Sequence, residues 1–143
     1  MIQDYRFSHR LRVRYSEIDG QKIVFNAHYS TYIDIATTEY FRTMLGDHLI
    51  ELAETHTFDP VLKKITIEFI KPAKLDDFLD IHCRVVKLGT SSFQLKHMIT
   101  RGDETLVEAE VIQVNYDTAS GKAIPIPDDL KKNILLFENQ SAH

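Results

Sequence analysis

A chain of 143 residues with 43% hydrophobic and 27% charged residues has the composition of a globular protein. A chain this long buries roughly 70% of its unfolded surface, enough for one domain with a core of its own. The net charge of −4 argues against a general nucleic-acid partner. No apolar run reaches the roughly 18 residues of a membrane span, so no membrane partner is expected. The first ten residues lack the apolar stretch of a signal peptide, and a single cysteine, Cys83, excludes an internal disulfide. The expected compartment is the cytoplasm.

Taken in chain order, Phe7, Leu11, Val13 and Tyr15 alternate with Ser8, Arg10, Arg12 and Arg14, which predicts a half-buried strand with a solvated basic outer face. From Ala27 to Leu45 the period lengthens. Tyr29, Tyr32, Ile33, Ala36, Tyr40, Phe41 and Met44 recur at three and four, predicting an amphipathic helix with Asn26 as its N-cap and Gly46 as its stop. A short second helix follows in DHLIELAETH. After Pro60 the pattern is β: Ile65, Ile67 and Phe69 share one face, and three more alternating stretches follow, separated by short turns that favour antiparallel neighbours. In the stretch around Cys83, the residues Leu79, Ile81, Cys83 and Val85 share a face and His82 points the other way, so Cys83 reads as a buried thiol rather than a nucleophile. A turn, a proline-limited edge and a terminal helix capped by Asp128 close the chain, with residues 137–143 expected as a loose tail.

One strand, a long helix and then four strands predict an α+β fold, in which an antiparallel sheet of about five strands wraps around one central helix. One helix cannot cover the whole sheet. Val107, Ala109 and Val111 alternate with Leu106, Ile112 and Val114, so both faces are partly apolar and a partner subunit is expected.

The runs RVRYSEIDGQKIVFNAHYSTYIDIATTEYF, IEFIKPAKLDDFLDIHCRVVKLGTSSF and YDTASGKAIPIPDDL together resemble the hotdog-fold acyl-CoA thioesterases of the 4-hydroxybenzoyl-CoA thioesterase type, over residues 10 to about 130. The most specific element is Tyr15, the acidic Glu17 and then Asp19, followed by Ile23, Val24 and the aromatic Phe25 ahead of the helix. The resemblance implies a cofactor-free hydrolase acting on acyl-CoA, or on an acyl carrier protein thioester, at the interface of a homodimer or homotetramer. It implies that Asp19 is the catalytic carboxylate, as nucleophile or general base, and that a backbone N–H around Asn26 polarises the carbonyl. That division of labour suits a thioester, which needs a base or nucleophile on one side and donors toward its oxygen. Many relatives carry glycine at the place of Lys22, asparagine at His28 and arginine at Thr37. Lys22 is therefore expected to stiffen a backbone that glycine leaves free. The alternative is a hotdog ligand-binding or interaction module without turnover.

Each candidate residue also has a plain structural reading. Asp19-Gly20 between apolar runs is a hairpin-turn signal. Glu17 reads best as an exposed strand-end carboxylate. Phe25, His28 and Tyr29 lie near enough to the helix start to line an acyl site, and Tyr29, Tyr32 and Tyr40 equally suit a core; Asp34 suits a solvated helix face. Lys71, Lys74 and Lys87, with Ser91 and Ser92, are candidates to meet the phosphates of CoA, or are solvated strand edges. The seven histidines show no metal-ligand spacing, and there is no glycine-rich nucleotide loop.

Overall fold

The computed structural model describes residues 2–139. Strand β1 (Phe7–Arg12) leads through a 3-10 turn (Tyr15–Glu17) to helix α1 (His28–Leu45) and the short α2 (His48–Glu54). Strands β2 (Pro60–Phe69), β3 (Phe78–Leu88), β4 (Ser92–Arg101) and β5 (Glu104–Asp117) follow, then the two-residue β6 (Lys122–Ala123) and helix α3 (Asp128–Asn139). The antiparallel order is β1-β3-β4-β5-β2, with β6 added beside β5. The sheet curls around α1, the arrangement called a hotdog.

The inner face of the sheet is continuous across strands because the register aligns like with like: Cys83 faces His97, Leu95 faces Val111, and Ile65 faces Val111 from the other side. Cys83 lies inside and His82 on the outer face, where it packs beside Tyr5. Burial pushes the Cys83 thiol well up, which keeps it an inert core group. α1 lays Tyr29, Tyr32, Ile33, Ala36, Tyr40 and Phe41 into this surface. Phe41 meets Phe58 and Phe93 edge-on at 5.2 and 5.3 Å between ring centroids, and its truncation to alanine would cost about 3–5 kcal/mol. Gly46 ends α1 with φ of +56°, its N–H donating to the Arg42 carbonyl at 2.7 Å.

Five expectations need correction. β1 ends at Arg12, and the 3-10 turn throws Tyr15 out to 79% exposure. The arginine row is ion-paired rather than merely solvated: Arg10 with Asp80, Arg12 with Asp76 and Arg14 with Glu17. Helix caps differ too. Ala27, already in helical geometry, precedes α1 without a side-chain cap, so Asn26 is not the N-cap; Asp128 lies inside the first turn of α3 rather than before it. Finally, Phe137–Asn139 belong to α3, because Phe137 packs on Tyr40 and the Glu138 carboxylate accepts from the Tyr40 hydroxyl and the Val85 N–H. The rest of the expected tail, 140–143, lies outside the described residues.

Candidate active site

The segment between β1 and α1 is held at both ends. Val13 N–H donates to the Asp77 carbonyl at 2.9 Å where β1 ends, and Glu17 fixes the middle. The Glu17 carboxylate accepts from the Arg14 N–H at 2.8 Å, the Arg14 guanidinium at 2.9 and 3.1 Å, and the Tyr32 hydroxyl of α1 at 2.8 Å. Burial opposes ionisation, but these donors outweigh it and hold the Glu17 carboxyl below its ordinary range. The same burial, joined by the Glu17 charge, pushes the Tyr32 hydroxyl up. Glu17 is therefore a buried clamp, 6% exposed, and not the solvated strand end expected of it. The alternating pattern concealed this, because the strand stops well before Glu17.

Beyond Glu17 the chain makes a small hairpin. Ile18 pairs with Val24, Asp19 N–H donates to the Ile23 carbonyl at 2.9 Å, and Lys22 N–H returns to the Asp19 carbonyl at 2.9 Å. One Asp19 carboxylate oxygen accepts from the Gln21 N–H at 2.8 Å; that is its only hydrogen bond among the described residues. The Asp-Gly turn reading is thus correct as local structure, and it leaves a half-buried carboxylate with a second oxygen to spare. Lys22 sits at φ of +65°, the left-handed region that glycine enters at least cost. The stiffening expected of Lys22 therefore does not reshape the turn: the backbone reaches the glycine-like conformation regardless.

The return strand runs straight to the helix. Val24 N–H donates to the Ala73 carbonyl at 2.9 Å, Ile23 pairs with Lys74, and Phe25 N–H donates to the Glu17 carbonyl at 2.9 Å. His28 N–H and Tyr29 N–H are bonded to the carbonyls of Phe25 and Asn26. The N–H groups of Asn26 and Ala27 have no partner among the described residues, so they are available at the positive end of the α1 dipole. A cavity of about 320 Å³ opens here, lined by Ile23, Asn26, Tyr29, Phe69, Ile70 and Lys71 among others. The Tyr29 ring meets Phe69 edge-on, while its hydroxyl accepts from the Ala73 N–H at 3.1 Å. Phe25 is exposed and packs edge-on to His28.

The cationic candidates divide. Lys74 is bridged directly to Ile23, and Lys71 lines the cavity while pairing with Glu104 at 3.1 Å. Lys87, Ser91 and Ser92 lie at the β3–β4 turn, the opposite end of the sheet from the Asp19 hairpin, roughly 30 Å away along β3. Within one chain they do not join the site. Phe69 and Ile70 also wall the cavity; their sequence signal is an aromatic and an aliphatic residue directly ahead of Lys71-Pro72. Asp34 is exposed on α1, farther along the helix.

A carboxylate on a hairpin, free N–H groups at a helix start and Lys71 in the cavity wall are groups that suit attack on a carbonyl, and the curled sheet around α1 is that of the hotdog-fold thioesterases. Residues 13–134 match the thioesterase-like superfamily, and the chain belongs to that family. The acyl-CoA thioester hydrolase YbgC of Escherichia coli is 31% identical over 121 residues, covering 84% of this chain and 89% of that protein. The acyl-CoA thioesterase YbgC of Haemophilus influenzae is 29% identical over 128 residues, covering 90% and 93%. In fold, the chain is similar to a thioesterase from Thermus thermophilus solved with coenzyme A and Zn, with a TM-score of 0.81, 24% identity, and coverage of 95% and 96%. Among the described residues no helix is long and apolar enough to cross a membrane.

Proposed function

We propose that this protein hydrolyses acyl-CoA thioesters to a free acid and the CoA thiol, with Asp19 acting on the carbonyl carbon directly or through a water it deprotonates. In the direct route the carboxylate forms an anhydride, the thiolate leaves, and water then releases the acid and restores Asp19. In the other route the water proton passes to Asp19 and on to the leaving thiolate. In both, oxyanion charge falls on the N–H groups of Asn26 and Ala27, where donors arranged in advance help most. The observation that carries the reading is the short hairpin itself: it joins a lightly held carboxylate to unpartnered N–H groups only a few residues further on. Lys71 and Lys74 stand at the rim as contacts for the CoA phosphates, and Phe25, His28 and Tyr29 flank the acyl end. Lys87, Ser91 and Ser92 contribute only across a subunit boundary, so their role rests on a homodimer or homotetramer. An acyl carrier protein thioester presents the same reacting group and is the second substrate class. One domain suffices for this chemistry, and the single buried thiol, Cys83, accords with a cytoplasmic setting.

Thiol release from a panel of acyl-CoAs tests the activity, and Asp19→Asn tests the residue. Asparagine retains the oxygen that accepts from Gln21 N–H but not the basic lone pair, so kcat should fall roughly 10²–10⁴-fold. A variant that turns over at the parental rate removes Asp19 from the mechanism.

A further inference from the structure

Three parts of the site lean on the loop between β2 and β3, residues 70–77. Ala73 is fully buried there, and both of its backbone groups are engaged: its N–H donates to the Tyr29 hydroxyl at 3.1 Å, and its carbonyl accepts from the Val24 N–H at 2.9 Å. Lys74 is bridged to Ile23, and the Asp77 carbonyl accepts from the Val13 N–H at 2.9 Å. The return strand of the Asp19 hairpin, the first turn of α1 and the end of β1 thus share one support. A loop has no ladder of its own, so its shape depends on groups that reach it from elsewhere.

Arg101 is such a group. It ends β4 and faces Glu104 across the Gly102-Asp103 turn. Its Nη1 donates to the Asp77 carboxylate at 2.7 Å and to the Pro72 carbonyl at 3.3 Å, while Nη2 donates to Glu104 at 3.3 Å. The same Asp77 oxygen accepts from the Lys74 N–H at 2.8 Å, so the loop is gripped on both sides of Ala73. Arg10 makes an equally direct pair with Asp80, at 2.9 and 3.1 Å, but those two residues already face each other in the β1–β3 ladder. Arg101 instead joins a strand to a segment outside the ladder, where a planar fork with several donors is the fitting side chain.

We infer that Arg101 is a positioning residue for thioester hydrolysis, which holds the 70–77 loop so that the Asp19 hairpin and the start of α1 keep their mutual geometry. The inference rests on the hydrolase reading of that hairpin. A shift of the loop carries Val24, and the hairpin with it, relative to the Asn26 and Ala27 N–H groups, and a misplacement of about 1 Å costs on the order of 10²-fold in rate.

The test measures kcat, KM and thermal midpoint with one acyl-CoA thioester on the parent protein, Arg101→Gln, Arg101→Lys and Arg10→Gln. Both Arg101 variants, assayed well below their midpoints, should lose about tenfold or more in kcat while KM stays within about threefold. Arg101→Lys keeps a charge for Asp77, and so a midpoint near the parent's, but lacks the fork that also reaches Pro72 and Glu104. Arg10→Gln should turn over at the parental rate. Parental kcat in either Arg101 variant overturns the inference and leaves the hydrolase intact. So does a raised KM at parental kcat, which would make Arg101 a substrate contact, or an equal loss of kcat in Arg10→Gln. A parent protein that cleaves no CoA thioester of a panel overturns the hydrolase reading itself and the inference with it.

Discussion

Glu17 and Asp19 are two carboxylates two residues apart, and the fold gives them opposite fates. Glu17 is buried and takes four hydrogen bonds, from Arg14 and Tyr32. Asp19 is half-buried and takes one, from the turn it belongs to. A carboxylate whose lone pairs are all engaged cannot accept a proton or attack a carbon without first losing its donors. One with a free oxygen can. The first binds the segment to α1; the second is carried on that segment toward the helix start. Residue type and spacing do not separate them, since both are acids on a short, alternating stretch. Hydrogen bonding and burial do.

Removing the clamp should have a large effect on stability. Glu17→Ala leaves the buried Tyr32 hydroxyl and the Arg14 N–H without an acceptor, and denaturant unfolding should show a loss of about 3 kcal/mol. If Glu17→Ala unfolds at the parental midpoint, the contrast between the two acids dissolves.

A second buried group marks the same boundary through its pH dependence. Burial holds the His97 imidazole down at about 3 against an ordinary value of 6.5. The unfolded chain therefore binds a proton here that the folded chain refuses. The stabilisation is complete above pH 6.5 and is lost as the pH falls toward 3, by on the order of 2–4 kcal/mol at the bottom of that window. Urea midpoints measured between these values should flatten in His97→Leu, and an unchanged acid slope would assign the loss to other groups.

The smallest effect concerns Lys22. Because the turn already holds the left-handed conformation, Lys22→Gly should relieve strain and raise stability by about 0.5 kcal/mol, net of the extra freedom of glycine when unfolded. Its kcat should stay within about twofold of the parent. A large change in kcat would mean that the lysine side chain takes part in the chemistry, and that the light hold on Asp19 is only part of the account.

Much of the fold was legible in the order and period of the apolar residues. The three-and-four spacing from Tyr29 to Phe41 announced α1, and alternation announced β2 to β5 and the inward face of Cys83. The Asp-Gly signal announced the hairpin. Alternation misled at Tyr15, where the polar-apolar rhythm continues into a 3-10 turn and conceals the partner that Glu17 finds fifteen residues on at Tyr32. A contact of that kind depends on how α1 lies on the sheet, which no local pattern encodes. Lys87, Ser91 and Ser92 were grouped with Lys71 and Lys74 by chemistry, yet strand direction carries them to the other end of the sheet. Gln113 falls on the face of Val107, Ala109 and Val111 by simple alternation and is buried with them, opposite Phe93. Lysine itself carries no signal for left-handed geometry at position 22; the glycine that relatives carry there does.

The most direct measurement of the contrast is a matched pair of acid-to-amide substitutions, Glu17→Gln and Asp19→Asn, assayed together for acyl-CoA hydrolysis and thermal midpoint. Each keeps the shape of its side chain and removes the charge. Asp19→Asn should lose roughly 10²–10⁴-fold in kcat with its midpoint near the parent's, because the Gln21 hydrogen bond survives. Glu17→Gln should lower the midpoint, facing the Arg14 guanidinium with an amide in place of a charge, and keep kcat within about tenfold while folded. The opposite pattern, with Asp19→Asn active but unstable and Glu17→Gln stable but inactive, would contradict the assignment of Asp19 to the chemistry and of Glu17 to the fold.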